Sequence, residues 1–269
     1  MQNINLFFSS ILVFICAIVL SASADTNSVK INYSVGENQF SAHLENALSA
    51  SKGTIFIIHD WDGLNDYEIS RAKMLSEIGY DAIAIDLFGV NAKLESFEDY
   101  RRESGALYAN RGEFRARINA ALEVGKASDV NTENIIIMGY CFGGAGVLEA
   151  ARAGMQADGF VSFHGGLSTP PGQDYSKTTG EILVLHGSAD PVSGLKDLSS
   201  LLTHLKEDNI PHDAEIFSGA RHSFTIPTSR DYDEKADQKS WGCLTQISQS
   251  KAVTLSLFLP EILNNYSYL

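Results

Sequence analysis

Cysteine is scarce in this sequence, with three residues in a chain of 269. Cys16 lies in an apolar stretch near the amino terminus, which leaves Cys141 and Cys243 in the rest of the chain. A disulfide framework usually shows several spaced cysteines, so the pattern does not favour a bridge between these two. Each of the two thiols therefore needs its own explanation.

Basic residues are also few. The chain has 20 Lys and Arg against 33 Asp and Glu, which gives a formal net charge of −13. Such a balance favours solubility and repels nucleic acids and anionic lipid surfaces, so we expect no nucleic-acid partner. The sequence also has no H-E-x-x-H motif and no cluster of cysteines and histidines, so we expect no metal site.

A long hydrophobic run is missing too. The apolar stretch of residues 6–20 is shorter than the roughly 20 residues that a membrane-spanning helix needs. Small residues follow at Ala22, Ser23 and Ala24, which is the spacing typical of a signal-peptide cleavage site. We interpret residues 1–24 as a secretory signal peptide that is cut near Ala24, and an uncleaved anchor is the alternative. Cleavage predicts an exported protein, periplasmic or secreted, with no stable membrane insertion.

The chain does contain a regular alternation of strand and helix patterns. Residues 29–44 alternate apolar and polar side chains around Gly36, which predicts an N-terminal β-hairpin. Buried-strand patterns follow at 54–58, 81–86, 134–138, 159–163, 182–186 and 214–217, and the main helical patterns lie at 65–80, 111–127, 194–207 and 233–259. This order predicts an α/β fold with a mostly parallel central sheet and helices on both faces. We find no internal repeat or long linker and interpret residues 25–269 as one domain.

The stretch MGYCFGGAG, residues 138–146, places a cysteine in a glycine-rich turn between a predicted strand and a predicted helix. This is the context of a nucleophile elbow, G-x-nucleophile-x-G. The nucleophile takes a strained backbone conformation there, and Gly139 and Gly143 relieve the crowding around it. The helix N-terminus stabilises the thiolate of Cys141, which is the reactive form. The alternative is a buried structural cysteine.

A nucleophile needs a base, and the base needs an orienting acid. Asp190 follows the strand pattern ILVLH, and His222 follows the strand pattern AEIF. Parallel sheets build their sites at the carboxyl ends of strands, so we expect Cys141, Asp190 and His222 to meet. Taken singly, Asp190 could be a loop acid or helix cap and His222 an exposed loop residue. Their order along the chain favours the catalytic interpretation.

At these residues the chain resembles the dienelactone hydrolase family. The resemblance runs from about residue 40 to 260 and rests on the motifs HDWDGLNDYE, GYDAIAIDLFG, MGYCFGG, VSFHGGL, ILVLHGSADP, RHSFT and DYDEKADQKSW. It implies an α/β-hydrolase fold and cofactor-free hydrolysis of an ester or enol-lactone, a small-molecule substrate. It also implies Cys141 as nucleophile, His222 as base and Asp190 as its partner. The oxyanion hole would be formed by the backbone N–H groups of Trp61 and Phe142.

The sequence departs from the family at two positions. Asp60 stands where many members have a glutamate that interacts with the resting thiol, so Asp60 is a candidate thiol partner, with a structural turn acid as the alternative. The dienelactone-cleaving members have an arginine two residues after His-Ser-Phe, but this chain has Ile226 there. Arginines that could substitute are Arg101, Arg102, Arg111, Arg115 and Arg221, although ion pairs explain them more simply.

Other pocket candidates and other functions stay open at this point. Tyr140 and His164 are candidates for the pocket. His164, like His59 and His186, ends a buried strand, and for these three we favour hydrogen-bonded histidines at the edge of the core. A thioesterase or general carboxylesterase would use the same catalytic residues. A non-catalytic binding protein and a redox-sensing thiol are the further alternatives. The sequence assigns no oligomeric state.

Overall fold

The structure, a computed structural model, describes residues 27–244. Eight strands form one sheet: β1 (Ser28–Val35), β2 (Asn38–Glu45), β3 (Thr54–Ile58), β4 (Asp81–Ile85), β5 (Ile135–Tyr140), β6 (Gly159–Phe163), β7 (Glu181–Gly187) and β8 (His212–Phe217). The helices are α1 (Asp66–Glu77), α2 (Phe97–Ala109), α3 (Arg111–Lys126), α4 (Phe142–Arg152), α5 (Leu195–Glu207) and α6, which covers residues 234–244 up to the limit of the described chain. The predicted signal peptide and the predicted helix beyond residue 244 lie outside the described residues and stay predictions.

The strand order is β1-β2-β4-β3-β5-β6-β7-β8. The first two pairings, β1 with β2 and β2 with β4, are antiparallel, and the remaining pairings are parallel. The predicted hairpin and the mostly parallel sheet are therefore confirmed. The order along the chain reverses at β3 and β5, and open α/β sheets bind their ligands at such a switch point.

Each central strand buries both of its faces, because helices cover the sheet on both sides. In β5, Ile135 and Ile137 pack on the side of α3, α4 and α5, and Ile136 and Met138 pack on the side of α1 and α6. Burial of one such side chain contributes about 1.5–3 kcal/mol. This two-sided burial explains why the strands are continuous apolar runs rather than alternating ones.

The caps of α1 agree with its sequence. Asn65 accepts a hydrogen bond from the first turn, Glu68 completes the capping box, and Gly79 follows the helix with φ of 91°.

Helix α2 is the element that the sequence interpretation missed. Its Ser96-x-x-Asp99 start is a capping signal, since the Ser96 side chain accepts the N–H of Asp99. None of the helices within residues 27–244 is both long and apolar enough to cross a bilayer.

Candidate active site

Cys141 lies in the turn between β5 and α4, with φ of 52° and ψ of −110°. A non-glycine residue in this region stores about 1–3 kcal/mol of backbone strain and persists only where its surroundings fix it. Here the N–H of Cys141 donates to the carbonyl of Phe163 on the neighbouring strand at 3.0 Å. The strained turn holds the thiol above the carboxyl end of the sheet, as the elbow motif predicts.

The two glycines that flank Cys141 are required by close backbone contacts. A Cβ at Gly139 would lie 2.5 Å from the backbone of Gly143. A Cβ at Gly143 would lie 2.2 Å from the carbonyl oxygen of Ile58 and 2.5 Å from that of His59. Both distances are far inside van der Waals contact, and no flexible side chain is there to move. The sequence interpretation of these glycines as relief of crowding agrees with the contacts.

The structure brings His222 and Asp190 to this thiol from two separate loops. The Nε2 atom of His222 lies 2.9 Å from the Sγ atom of Cys141, and its Nδ1 atom lies 2.7 Å from Oδ2 of Asp190. The other carboxylate oxygen of Asp190 accepts the backbone N–H groups of Val192 and Ser193 at 2.8 and 3.1 Å. Both oxygens of Asp190 are therefore engaged, which fixes the plane of the His222 ring.

Hydrogen bonding decides the charge of His222. Burial lowers the pKa of the ring, but the hydrogen bonds to Asp190 and Cys141 outweigh it and raise the pKa to about 10. Burial opposes ionisation of Asp190 as well, yet its bonds to His222 and to the loop backbone hold the pKa of the carboxyl below its usual value. At neutral pH, His222 is therefore a cation that contacts both the Asp190 carboxylate and the Cys141 sulfur, and a cationic neighbour favours the thiolate form of a cysteine.

The two backbone amides that are candidates for an oxyanion hole come from separate parts of the chain. Trp61 follows β3, and Phe142 is the first residue of α4. Within residues 27–244, neither of their N–H groups has a hydrogen-bond partner. The Trp61 loop is held on both sides, since the N–H of Asp60 donates to Glu68 at 3.3 Å and that of Asp62 donates to Asp60 at 3.0 Å. These contacts hold the Trp61 amide in a fixed position, which is what a donor to a developing oxyanion requires.

Asp60 lies close to Cys141 but makes no hydrogen bond to its sulfur among the described residues. Burial raises the pKa of the Asp60 carboxyl to about 10, with further contributions from Asp62 and from the charge of Cys141. The carboxyl is therefore protonated at neutral pH. The hydrogen-bond partner that the structure gives the thiol is His222.

We expect Asp60→Asn to stabilise the protein and to leave hydrolytic activity within about threefold of wild type. Ionised Asp60 opposes folding, because its pKa in the fold lies far above the ordinary value of about 3.9. This penalty grows as pH rises from about 4 towards 10, and the neutral amide removes it. The gain in free energy of unfolding should be about 1–3 kcal/mol at pH 8 and smaller at pH 5.

Urea unfolding at the two pH values measures this difference. The control is Asp129→Asn, which changes an exposed aspartate and should give no such pH-dependent gain. A larger gain at pH 5 than at pH 8, or a tenfold loss of activity, would contradict the neutral state of Asp60.

Two other pocket candidates lie behind the site rather than in it. Tyr140 is fully buried and packs with Tyr67 and Phe163 in the core between the sheet and α1. Its side chain leaves β5 on the face that α1 covers, so the structure does not bring Tyr140 together with the thiol. His164 is also fully buried; its ring lies 5.4 Å from that of His222, and its Nε2 atom is 2.8 Å from Oγ1 of Thr225.

His59 and His186 have the core-edge roles that the sequence favours. His59 accepts the N–H of Leu87 at 3.0 Å, and Nε2 of His186 lies 2.8 Å from the carbonyl of Ser193. The described residues contain no group of three or more His, Cys, Asp or Glu side chains arranged to hold a metal ion.

Comparison with known proteins gives this geometry a context. The family model described as the dienelactone hydrolase family matches residues 40–250, which is well over half of the chain. The chain belongs to the dienelactone hydrolase family. This is a family of hydrolases, and small-molecule substrates are expected for it. A comparison with curated proteins gave no match.

Solved structures of the dienelactone hydrolase type are similar over the same region. A dienelactone hydrolase-like promiscuous phosphotriesterase from metagenomic libraries is 27% identical with a TM-score of 0.77, covering 82% of this chain and 97% of its own. A protein named m3DLH is 28% identical with a TM-score of 0.78 and the same coverage. An α/β hydrolase from a Medee basin deep-sea metagenome library, 13% identical with a TM-score of 0.60 over 83% of this chain and 99% of its own, shares the fold.

The arginines considered as substitutes for the missing family arginine all have acidic partners. Arg111 and Arg115 bind the two oxygens of the buried Glu149, each at 2.9 Å, and Arg152 binds the same carboxylate at 2.7 Å. The remaining three pair with neighbouring acids: Arg101 with Glu98, Arg102 with Asp99 and Glu103, and Arg221 with Asp231. Ion pairing therefore explains these five arginines, in agreement with the simpler of the two interpretations given for them from the sequence.

Sequence reasoning missed a set of aromatic residues on α2. Phe97 and Tyr100 contact the Trp61 ring, and Tyr108 contacts the Phe142 ring. The capping signal at Ser96 would have placed the helix. Its position next to the two candidate oxyanion residues follows from the tertiary fold alone.

Proposed function

We propose that this member of the dienelactone hydrolase family hydrolyses a carboxylic ester or enol-lactone through Cys141, His222 and Asp190. The observation that carries the proposal is the double contact of His222, 2.9 Å from the thiol sulfur and 2.7 Å from the Asp190 carboxylate. A nucleophile, a base within reach of it and an acid that orients the base are the parts that covalent hydrolysis needs.

In the first half of the reaction, the Cys141 thiolate attacks the carbonyl carbon of the substrate. The carbonyl π electrons move to oxygen, and the N–H groups of Trp61 and Phe142 stabilise the oxyanion; each such donor is worth roughly 3–4 kcal/mol of barrier. The intermediate then collapses, the C–O bond to the alcohol breaks, and the His222 imidazolium gives its proton to the departing oxygen. An acyl-thioester on Cys141 remains, and with a lactone the alcohol stays attached to the acyl chain.

In the second half, His222 removes a proton from water as the water attacks the thioester carbonyl. The second oxyanion occupies the same hole, and its collapse releases the carboxylic acid and restores the thiolate beside protonated His222. The sum is one ester and one water converted to one acid and one alcohol, with no cofactor. The second half depends on how well His222 activates the water, so deacylation is the step that we expect to limit turnover.

The acyl-thioester is the species that tests this proposal. We expect acid quenching during turnover of a 4-nitrophenyl ester to trap an acyl group on the protein. Mass spectrometry of the digested protein should place this mass on the peptide that contains Cys141. The peptide with Cys243, the other cysteine of the described chain, should stay unmodified. Continuing hydrolysis with no adduct, or with the adduct on Cys243, would contradict the mechanism.

A further inference from the structure

Helix α2 contacts both residues whose amides form the candidate oxyanion hole. At its first turn, the Phe97 and Tyr100 rings lie 5.5 and 5.6 Å from the Trp61 ring, the first stacked and the second edge-on. Near its last turn, the Tyr108 ring lies edge-on to Phe142 at 5.4 Å. One helix therefore carries aromatic rings to both of the residues that are candidates for the oxyanion hole. We call Phe97, Tyr100, Tyr108 and Trp61 the aromatic wall.

The Tyr108 end of the aromatic wall lies near the nucleophile. Its ring packs edge-on against Phe142, the residue that follows Cys141 in the chain. On its other side, the guanidinium of Arg111 lies 4.7 Å from the centre of the Tyr108 ring. Arg111 is in turn held by the buried Glu149. Arg111 and Glu149 thus hold the Tyr108 ring on the side away from Phe142.

The Phe97 end of the aromatic wall is open. Phe97 is 68% exposed, although it stacks on Trp61 with an angle of 24° between the rings. A single exposed apolar residue is common on protein surfaces, but this one adjoins two further aromatic rings and the candidate active site. Ligand pockets are lined mainly by apolar and aromatic side chains that meet a few fixed polar groups. The aromatic wall beside the amides of Trp61 and Phe142 has this composition.

We propose that the aromatic wall is a specificity subsite for an aryl group attached to the acyl or the alcohol side of the ester. This inference rests on the proposed function, since it concerns the substrate of the same site. Stacked and edge-on rings prefer a further aromatic ring as a neighbour, with gains beyond those of buried area. The arginines of α2, Arg101 and Arg102, are paired with acids on the same helix, so the wall offers no unpaired cation to an anionic substrate.

Three esters and one substitution test the subsite. The esters are trifluoroethyl acetate, which has no ring, trifluoroethyl 3-phenylpropanoate, with a ring on the acyl side, and phenyl acetate, with a ring on the alcohol side. In Phe97→Ala, we expect kcat/KM for at least one aryl ester to fall about tenfold, mainly through KM, with less than a twofold change for trifluoroethyl acetate. Because Phe97 is mostly exposed, the variant should fold as wild type does.

The matched control is Leu48→Ala, which truncates another exposed apolar residue, 60% accessible, on a loop next to the C-terminal end of α1. It should leave all three rates unchanged. Phe97→Leu keeps apolar volume without the ring. We define selectivity as the ratio of kcat/KM for an aryl ester to kcat/KM for trifluoroethyl acetate. We expect leucine to recover less than half of the selectivity lost in Phe97→Ala, on a logarithmic scale. Equal effects of Phe97→Ala on all three esters, no effect on any, or full recovery by leucine would overturn the aryl subsite.

Cys141→Ala separates failure of this inference from failure of the proposed function. If trifluoroethyl acetate hydrolysis disappears in Cys141→Ala but Phe97→Ala shows no selectivity, the catalytic proposal stands and the aromatic wall is not the subsite. If hydrolysis persists without Cys141, both proposals fail.

Discussion

Cys141→Ala is expected to lower kcat for ester hydrolysis by about 10⁵-fold or more, because it removes the atom that forms the covalent bond to the substrate in the proposed mechanism. Removal of a nucleophile from a comparable catalytic group has an effect of this size, and the residual rate comes from the oxyanion hole and from substrate binding. The Sγ atom of Cys141 is the only one that the structure places against Nε2 of His222 within residues 27–244. No neighbouring thiol can therefore take its place.

The matched control for this prediction is Cys243→Ala. Cys243 lies on α6, where burial and the nearby Glu215 and Asp213 raise the pKa of its thiol. A raised pKa makes a thiol a poorer nucleophile at neutral pH. The two variants each remove one thiol, and initial rates with a chromogenic ester compare them directly. Equal rates in the Cys141→Ala and Cys243→Ala variants would mean that the reaction does not pass through Cys141. That result would favour a binding or redox function for this thiol.

Asp190→Asn is expected to reduce kcat by about 10³- to 10⁴-fold with little change in the fold. In the proposed mechanism, the carboxylate fixes the tautomer and orientation of His222 and stabilises its charged form, and loss of such an acid has an effect of this order. Asn keeps an oxygen that can accept the N–H groups of Val192 and Ser193 at 2.8 and 3.1 Å. The loss is therefore electrostatic rather than structural.

The pH dependence of Asp190→Asn distinguishes these two causes. Burial by itself lowers the pKa of His222, and the hydrogen bonds to Asp190 and Cys141 raise it to about 10. Without the Asp190 charge, the pKa of His222 falls, so the imidazolium loses its proton at a lower pH and the alkaline limb of kcat/KM moves in the same direction. Asp197→Asn, the same substitution at the start of α5, should leave that limb in place. An unmoved limb in Asp190→Asn would refute the proposed electrostatic role.

Much of the site could be predicted from the sequence because each of its parts comes after a strand. Cys141, Asp190 and His222 lie beyond β5, β7 and β8, and the loops at the carboxyl ends of parallel strands meet at one edge of the sheet. The glycines around Cys141 signalled the strained turn for a steric reason that the contacts of Gly139 and Gly143 bear out. At these positions, the strand and turn patterns in the sequence lead to the same arrangement as the topology of the sheet.

The remaining features depend on contacts that no local pattern encodes. Tyr140 is adjacent to Cys141 in sequence, yet the alternation of side chains along β5 sends it into the core. The raised pKa of Asp60 results mainly from burial, with contributions from Asp62, Cys141 and Glu68, and the last two lie far from it in the chain or on another element. Helix α2 has a visible capping signal, but its place across Trp61 and Phe142 is set by packing between elements distant in the chain.

The loop that holds Trp61 has a consequence for the proton content of the folded chain. Asp60 in this loop and Glu68 on α1, which accepts the N–H of Asp60, are both buried, and burial raises their pKa values to about 10 and about 8. The formal charge of −13 counts both acids as ionised, so the native molecule at neutral pH is less negative than its sequence states. Unfolding at that pH releases these protons to the solvent. In the proposed mechanism, the Cys141 thiolate therefore has the uncharged Asp60 carboxyl as a neighbour, and its negative charge meets less repulsion than an ionised aspartate would cause.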